Sequence, residues 1–157
     1  MKIKLLAIGK TDNKQLIQLI DEYKNRLKHY IKFELEIIPD IKNVKNLSEI
    51  QQKEKEGNLI LSKLQNTDNL VLLDDKGKHF TSIEFSQYLQ KKMNSGIKQL
   101  VLVIGGPYGF SDAVYKKCIG KISLSKMTFS HQMIRLFIVE QLYRSFTILK
   151  NEPYHHE

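Results

Sequence analysis

The sequence predicts an α/β protein with a mainly parallel sheet flanked by helices, in a single domain of residues 1–157. Five short apolar runs suited to strands alternate with longer segments of helical periodicity, the pattern of parallel strands joined by crossover helices. One run, 100–104, passes directly into the loop Gly105-Gly106-Pro107-Tyr108-Gly109 and then into the helix-capping pair Ser111-Asp112. Open α/β sheets bind ligands at loops that follow the carboxyl ends of strands, so this loop is the first candidate site.

The first part of the chain predicts two strands and two helices. Residues 2–8 alternate at first and then become wholly apolar, as a strand that enters a core does. Residues 13–29 carry apolar side chains at three- and four-residue steps, which predicts an amphipathic helix. Residues 33–38 alternate and stop at a proline, which indicates a strand with one wet face. A capping box opens the next helix at Ser48, and its stretch 51–58 is almost wholly polar and therefore expected to be exposed.

The middle of the chain predicts a buried strand and a third helix. Residues 70–73 are a short aliphatic run, and Asp74-Asp75 follow it directly. Adjacent carboxylates after a strand can be catalytic or can bind a metal, but the lysines beside them favour a simple turn, and we expect no metal site. A second capping box opens a helix at Thr81 that runs to about Asn94, and Gly96 is its C-terminal signal.

The last third of the chain predicts a short helix, a strand and a long closing helix. The short helix covers 111–118, the strand covers 119–124, and residues 125–130 form a loop. The closing helix, about 131–149, carries an unusually broad apolar face. Such a face can pack inside the domain or against a second copy of the chain.

Composition narrows the function class. The net charge of +8 favours a polyanionic partner such as RNA, DNA or an acidic surface, although nearly all the basic residues are lysines. A single cysteine, Cys118, excludes an internal disulfide framework and fits a reducing, cytoplasmic compartment. No apolar run approaches the ~20 residues that span a bilayer, and the first apolar run is too short for a signal peptide, so no membrane association is expected.

The glycine-rich loop is open to two interpretations from the residues alone. Glycine lets a ligand approach main-chain groups closely, but it also serves a plain strand-to-helix turn. The dinucleotide fingerprint G-x-G-x-x-G is absent, and no Gly-Lys-Ser/Thr of a P-loop follows.

Several C-terminal segments together resemble the ribosomal RNA large subunit methyltransferase H family, which are small SPOUT-class enzymes. The resemblance covers the whole chain in length and element order and is most specific from Leu100 to Glu157. The matching segments are Ile104-Gly105-Gly106-Pro107-x-Gly109-x-Ser111, Leu124-Ser125-x-Met127-Thr128-Phe129-x-His131, Arg135, Glu140-Gln141-Leu142-Tyr143-Arg144 and Asn151-x-Pro153-Tyr154-His155.

The resemblance implies a fold and an activity that the residues by themselves do not. Residues of about 99–157 would form a trefoil knot, against the general rarity of knots. The protein would be a cytoplasmic homodimer with each active site at the subunit interface. It would use S-adenosylmethionine to methylate N3 of a pseudouridine in helix 69 of 23S rRNA on the assembled ribosome.

The resemblance also assigns site residues by match. The donor pocket would be formed by Leu73, Gly105, Gly106, Leu124, Ser125, Lys126, Met127, Thr128 and Phe129. Tyr154 and His155 would bind the target nucleotide or help its N3 proton leave. Arg135 and Arg144 are candidates for phosphate contacts, with ion pairs on the helix surface as the alternative. The family often carries Arg or Lys where this chain has His156, so a substrate contact there would become pH-dependent.

Two other functions remain open on the sequence. One is an RNA- or ribosome-binding protein with a vestigial donor pocket, which would not need Gly105 and Gly106. The other is a small-molecule methyltransferase on the same scaffold, which the net charge of +8 and the Tyr-His tail disfavour.

Overall fold

The structure is a computed structural model that describes residues 1–156. Its five strands and five helices alternate along the chain, and a single 3₁₀ turn, Val44–Asn46, precedes the second helix. The elements are β1 (Lys2–Ile8), α1 (Lys14–Leu27), β2 (Lys32–Ile38), α2 (Glu49–Ser62), β3 (Asp68–His79), α3 (Ser82–Asn94), β4 (Gln99–Ile104), α4 (Asp112–Lys117), β5 (Gly120–Ser123) and α5 (His131–Leu149). The strands form one sheet in the order β2-β1-β4-β3-β5. All four strand pairs are parallel, so the predicted α/β class is confirmed.

The sheet is covered on both faces, because successive side chains of a strand point to opposite sides. On one face, Leu5 and Leu102 pack with buried residues of α1, α3 and α5, among them Leu89 and Leu142. On the other face, buried residues of β1, β3 and β4 pack with those of α2 and α4, including Val114. The buried middle parts of the central strands, such as residues 70–72 of β3 and 100–104 of β4, are therefore apolar, whereas β2 at one edge keeps the wet face that its alternation predicts.

Capping explains where the helices begin. Ser48 and Thr81 each form the predicted capping box. The hydroxyl of the cap residue accepts from the backbone N–H three residues later, and the side chain of that later residue, Gln51 or Glu84, accepts from the N–H of the cap residue. The α3 helix is followed by Gly96 with a φ of +74°, the left-handed conformation that favours glycine. Ser111 has the extended backbone of an N-cap, but its hydroxyl makes no capping bond and lies against Gly57 of α2.

The predicted end of the third strand at Leu73 is wrong. β3 continues to His79, and its pairing with β5 shifts from Leu73↔Ile122 to Lys78↔Ile122. The intervening residues leave the ladder as a bulge, in which the Lys76 N–H donates to Asp74 Oδ1 over 2.8 Å. A Cβ at residue 77 would lie 2.5–2.7 Å from backbone atoms of β5, so only glycine lets the strand return there.

The predicted exposure of the polar stretch 51–58 is wrong at two residues. Glu56 is only 3% exposed, and Gly57 is buried. Both face the loop after β4, where a Cβ on Gly57 would lie 2.2 Å from Ser111 Oγ. The missing side chain of Gly57 therefore lets α2 lie directly against that loop. The trefoil knot stays a prediction, because strand order and pairing do not describe how loops thread.

Candidate active site

A cleft of about 670 Å³ opens at the carboxyl ends of β3, β4 and β5. These strands are neighbours in the sheet, so the bulge of β3, the loop after β4 and the segment after β5 meet at one edge. The first turn of α2 forms another wall through Glu49, Ile50 and Lys53. The volume is typical of pockets for small ligands, and the position is the usual one for open α/β sheets.

Eight of the nine residues assigned to the donor pocket line this cleft, and the ninth, Lys126, does not. The eight are Leu73, Gly105, Gly106, Leu124, Ser125, Met127, Thr128 and Phe129. Thus three separate segments of the sequence converge on one cavity.

Close packing and backbone conformation explain the glycines of the loop. A Cβ on Gly105 would lie 3.0 Å from the ring of Phe110, and one on Gly106 would lie 2.2 Å from Glu56 Oε2. Gly109 has a φ of +79° and donates to the Gly106 carbonyl over 3.2 Å, which closes the turn. The loop is therefore a tight turn packed on α2 that also presents its backbone to the cleft.

The segment after β5 is held in shape by serine side chains. Ser123 Oγ donates to the Ser125 carbonyl over 2.8 Å, and the Met127 N–H donates to Ser125 Oγ over 2.9 Å. The ring of Phe129 packs against Phe137 of α5, with ring centroids 4.9 Å apart. Met127 is 74% exposed, so this rim of the cleft presents apolar surface to solvent.

An ionised carboxylate lies in the cleft wall. The Tyr115 hydroxyl donates to Asp74 Oδ2 over 2.6 Å, and the Lys76 N–H donates to the other oxygen. Burial alone would raise the pKa of Asp74, but these hydrogen bonds outweigh burial and lower its pKa below the ordinary value. The lysines beside Asp74 favoured a turn over a catalytic or metal-binding role, and Tyr115, forty-one residues away, carried no local signal of the contact.

A Tyr115→Phe variant should lose about 1 kcal/mol of unfolding free energy at pH 7, because Asp74 loses one hydrogen bond. A lowered pKa stabilises the fold above the unfolded pKa, and this stability is lost as pH falls through the folded pKa. The difference between the two proteins should therefore shrink in acid. Urea unfolding at neutral and acidic pH measures this difference in unfolding free energy. The control is Tyr108→Phe, a substitution at an exposed tyrosine. Equal stability of the Tyr115→Phe and unaltered proteins at pH 7 would contradict the assignment.

The C-terminal tail is anchored on α1 and α5. The Tyr154 hydroxyl lies 3.1 Å from that of Tyr23 and donates to Glu140 Oε1 over 3.0 Å. Its ring packs edge-on against Tyr143, and the guanidinium of Arg144 lies 4.7 Å from the ring centroid. Burial and these hydrogen bonds raise the pKa of Tyr154. The tail is thus docked, and its tyrosine is neutral at ordinary pH.

Arg144 and His155 form a second contact in the tail. The guanidinium donates twice to Glu140 Oε1, over 2.7 and 3.0 Å, so the ion-pair alternative describes Arg144 in the protomer. A third N–H lies 3.3 Å from His155 Nδ1. Because guanidinium offers only donors, Nδ1 accepts, and we assign the ring proton of His155 to Nε2. That Nε2 is buried and has no hydrogen-bond partner within residues 1–156, while His156 beside it is exposed.

Arg135 lies inside the protomer rather than on its surface. It is fully buried, and it donates to the Ile8 carbonyl over 2.7 Å and to Thr11 Oγ1 over 2.9 Å. Burial lowers its pKa, opposed by the nearby charges of Asp40 and Asp12. A surface phosphate does not reach this guanidinium, and its two bonds hold the turn after β1.

The predicted donor-site and tail residues therefore lie in two separate places in one protomer. Eight of the donor-site residues share the cleft, whereas tail residues 151–156 do not line it. Across residues 1–156, no cluster of three or more His, Cys, Asp or Glu side chains could hold a metal ion. No helix of the described chain has the length and apolarity needed to cross a bilayer.

Comparison with known proteins identifies relatives over the full length. The family model described as "Predicted SPOUT methyltransferase" matches residues 1–155. A protein of Flavobacterium psychrophilum named ribosomal RNA large subunit methyltransferase H is 76% identical over 157 residues, covering 100% of both chains. Proteins of the same name from Parabacteroides distasonis and Porphyromonas gingivalis are 70% and 57% identical, again over 100% of both chains.

Proposed function

Because the chain belongs to the SPOUT methyltransferases, and among them to the ribosomal RNA large subunit methyltransferase H family, we propose that it methylates N3 of a pseudouridine in helix 69 of 23S rRNA. The donor is S-adenosylmethionine and the substrate is the assembled, cytoplasmic ribosome. Family membership makes the chain a methyltransferase. The observation that carries the proposal is the convergence of eight assigned donor-site residues on one cleft.

The cleft fits the chemistry of the proposed donor. Leu73, Leu124 and Phe129 offer apolar surface to an adenine ring, and the loop backbone offers polar main-chain groups. Asp74 supplies a negative charge for a ligand that carries an ammonium and a sulfonium. Bound S-adenosylmethionine supplies a methyl group already activated by its sulfonium, so the protein's task is alignment with the acceptor nitrogen.

An RNA substrate accounts for the charge of the chain. The net charge is +8, and the cleft mouth includes Lys53 and Lys76. Cations near phosphates release counterions, which gives affinity without sequence recognition.

We further propose that the working enzyme is a homodimer with composite sites. One protomer keeps its tail away from its own cleft, so the donor residues and Tyr154 meet only if a second copy supplies one group. The apolar rim formed by Met127 and Phe129 is exposed in the protomer, and exposed apolar surface of this kind is typical of protein–protein interfaces.

The tail geometry favours substrate binding over proton removal for His155. With Nδ1 accepting from Arg144, the unpartnered Nε2–H is a donor, suited to a nucleobase carbonyl or a phosphate oxygen. Tyr154 is neutral and offers a ring for stacking. The N3 proton then leaves to solvent or to another group of the composite site.

Methyl transfer from labelled S-adenosylmethionine to two substrates tests the proposal. One substrate is ribosomes that lack the modification, and the other is protein-free rRNA containing pseudouridine. Label should enter the large-subunit rRNA of the ribosomes and not the free rRNA, because recognition depends on the assembled particle. Ribosomes that already carry the methyl group are the matched control and should stay unlabelled.

Other outcomes would refute parts of the proposal. Label on free rRNA alone would overturn the ribosome as substrate. No label on either substrate, with the donor still bound, would move the acceptor elsewhere, for instance to a small molecule.

A further inference from the structure

Glu56 is a buried acid that the proposed reaction leaves without a role. It lies on α2 and is 3% exposed, although the helix around it is polar. Its Oε1 accepts from Gln52 Nε2 over 2.9 Å. Its Oε2 is buried and has no hydrogen-bond partner in the described part of the chain. Buried carboxyl oxygens are normally paired, so this one requires a reason.

The carboxyl lies directly behind the cleft. A Cβ on Gly106 would lie 2.2 Å from Glu56 Oε2, and Gly106 itself lines the cleft. Glu49, Ile50 and Lys53, which precede Glu56 on α2, also line it. Only the backbone of one glycine therefore separates the carboxyl from a ligand in the cleft.

The electrostatic surroundings disfavour the charged form of this acid. Burial raises the pKa of Glu56, the charge of Asp40 raises it further, and the bond from Gln52 opposes both. The loop residues 105–107 carry no titratable group, and Lys53 faces the cleft one turn earlier. Within residues 1–156, no Lys, Arg or His forms an ion pair with Glu56. A positive charge placed in the cleft would thus be the missing partner.

We propose that Glu56 is a specificity-determining residue, whose carboxylate behind Gly106 makes the cleft prefer the cationic methyl donor to its demethylated product. This inference rests on the proposed function, which supplies the donor. S-adenosylmethionine carries a positive sulfonium, whereas the thioether of S-adenosylhomocysteine is neutral, and both carry the same ammonium and carboxylate. Attraction by Glu56 therefore strengthens binding of the donor and not of the product. The weaker binding of the product relative to the donor assists exchange of product for donor.

The proposal entails a proton balance. A sulfonium in the cleft lowers the pKa of Glu56, and the neutral thioether of the product lowers it less. At a pH where the free protein keeps the Glu56 proton, donor binding therefore releases more of that proton to the buffer than product binding does. A carboxylate that served only as packing beneath the loop would show no such difference between the two ligands.

Calorimetry of both ligands on the full-length protein tests the proposal. The titrations are repeated over a series of pH values. Where free Glu56 keeps its proton, the binding enthalpy of S-adenosylmethionine to the unaltered protein should vary with the ionisation enthalpy of the buffer more than that of S-adenosylhomocysteine does. In Glu56→Gln, which keeps the shape, this difference should vanish. In this variant, donor affinity should fall about tenfold, because the sulfonium loses the attraction of one nearby unit charge. Product affinity should change less than about twofold. Glu54→Gln, on the exposed side of the same helix, is the matched control.

Each result separates the two claims. Equal weakening of both ligands in Glu56→Gln, or equal proton release for both in the unaltered protein at every pH of the series, would overturn the role of Glu56. The second measurement needs no variant, so it decides even if Glu56→Gln folds poorly. Absence of donor binding to the unaltered protein would instead overturn the proposed function.

Discussion

A Gly106→Val variant is expected to bind S-adenosylmethionine at least about a hundredfold more weakly while remaining folded. The added Cβ would lie 2.2 Å from Glu56 Oε2, so either the carboxyl or the loop must move. Overpacking of this kind costs about 1–3 kcal/mol, which a domain of this size survives. The displaced loop forms a wall of the cleft, so the loss falls on ligand binding.

Calorimetry measures the affinity, and size-exclusion chromatography reports whether the proposed dimer persists. Gly120→Val is the matched control, because a Cβ there meets no atom within 4 Å and its φ is not positive. Combining Gly106→Ala with Glu56→Ala should recover stability lost by Gly106→Ala alone, since the clash partner is removed. Undiminished donor affinity in Gly106→Val would remove the loop from the donor site.

Deleting residues 154–157 is expected to lower methyl transfer to ribosomes at least about a hundredfold and to leave donor affinity unchanged. The tail residues assigned to the nucleotide leave with the deletion, whereas the cleft loses none of the residues that line it. Single-turnover labelling of unmodified ribosomes measures the first effect, and calorimetry measures the second.

A Tyr154→Phe variant serves as the control for tail docking. It keeps the ring but loses the hydroxyl contacts with Tyr23 and Glu140, at a cost of about 1–2 kcal/mol in unfolding free energy. If docking alone matters, this variant should approach the deletion in activity; if the ring and His155 bind the nucleotide, it should retain most activity. Normal methylation by the truncated chain would exclude the tail from the active site.

The sequence predicted elements whose signals are local. The capping boxes at Ser48 and Thr81, the left-handed Gly96 and the aliphatic runs of the inner strands depend on neighbouring residues, and the structure confirms them. The end of β3 was missed because its pairing partner Ile122 lies far along the chain. Ile122 is in register with two residues of β3, Leu73 before the bulge and Lys78 after it. No pattern within residues 70–78 reveals that second pairing.

The site was predictable in part for the same reason. The cleft residues follow strand ends, which is a local mark, and the family resemblance identified them. Glu56 was missed because a polar helix turn normally faces water, and only Gly57 beside it hinted at a close approach. Arg135 was named as a phosphate candidate from its match to the family segments and its charge. Its burial was not predictable, because its partners Ile8 and Thr11 are over a hundred residues earlier.

The central position of the fourth strand has a consequence for synthesis of the protein. β4 lies between β1 and β3 and pairs with both, beginning with Lys2↔Gln99 and Asp68↔Gln99. Until residue 104 leaves the ribosome, the first three strands cannot join into one sheet, and β1 exposes an unpaired apolar edge. Pairing β1 with β4 closes a loop of nearly a hundred residues, so we expect the complete sheet to form only after β4 has been synthesised. A nascent chain stalled before β4 is accordingly the species that most needs a chaperone.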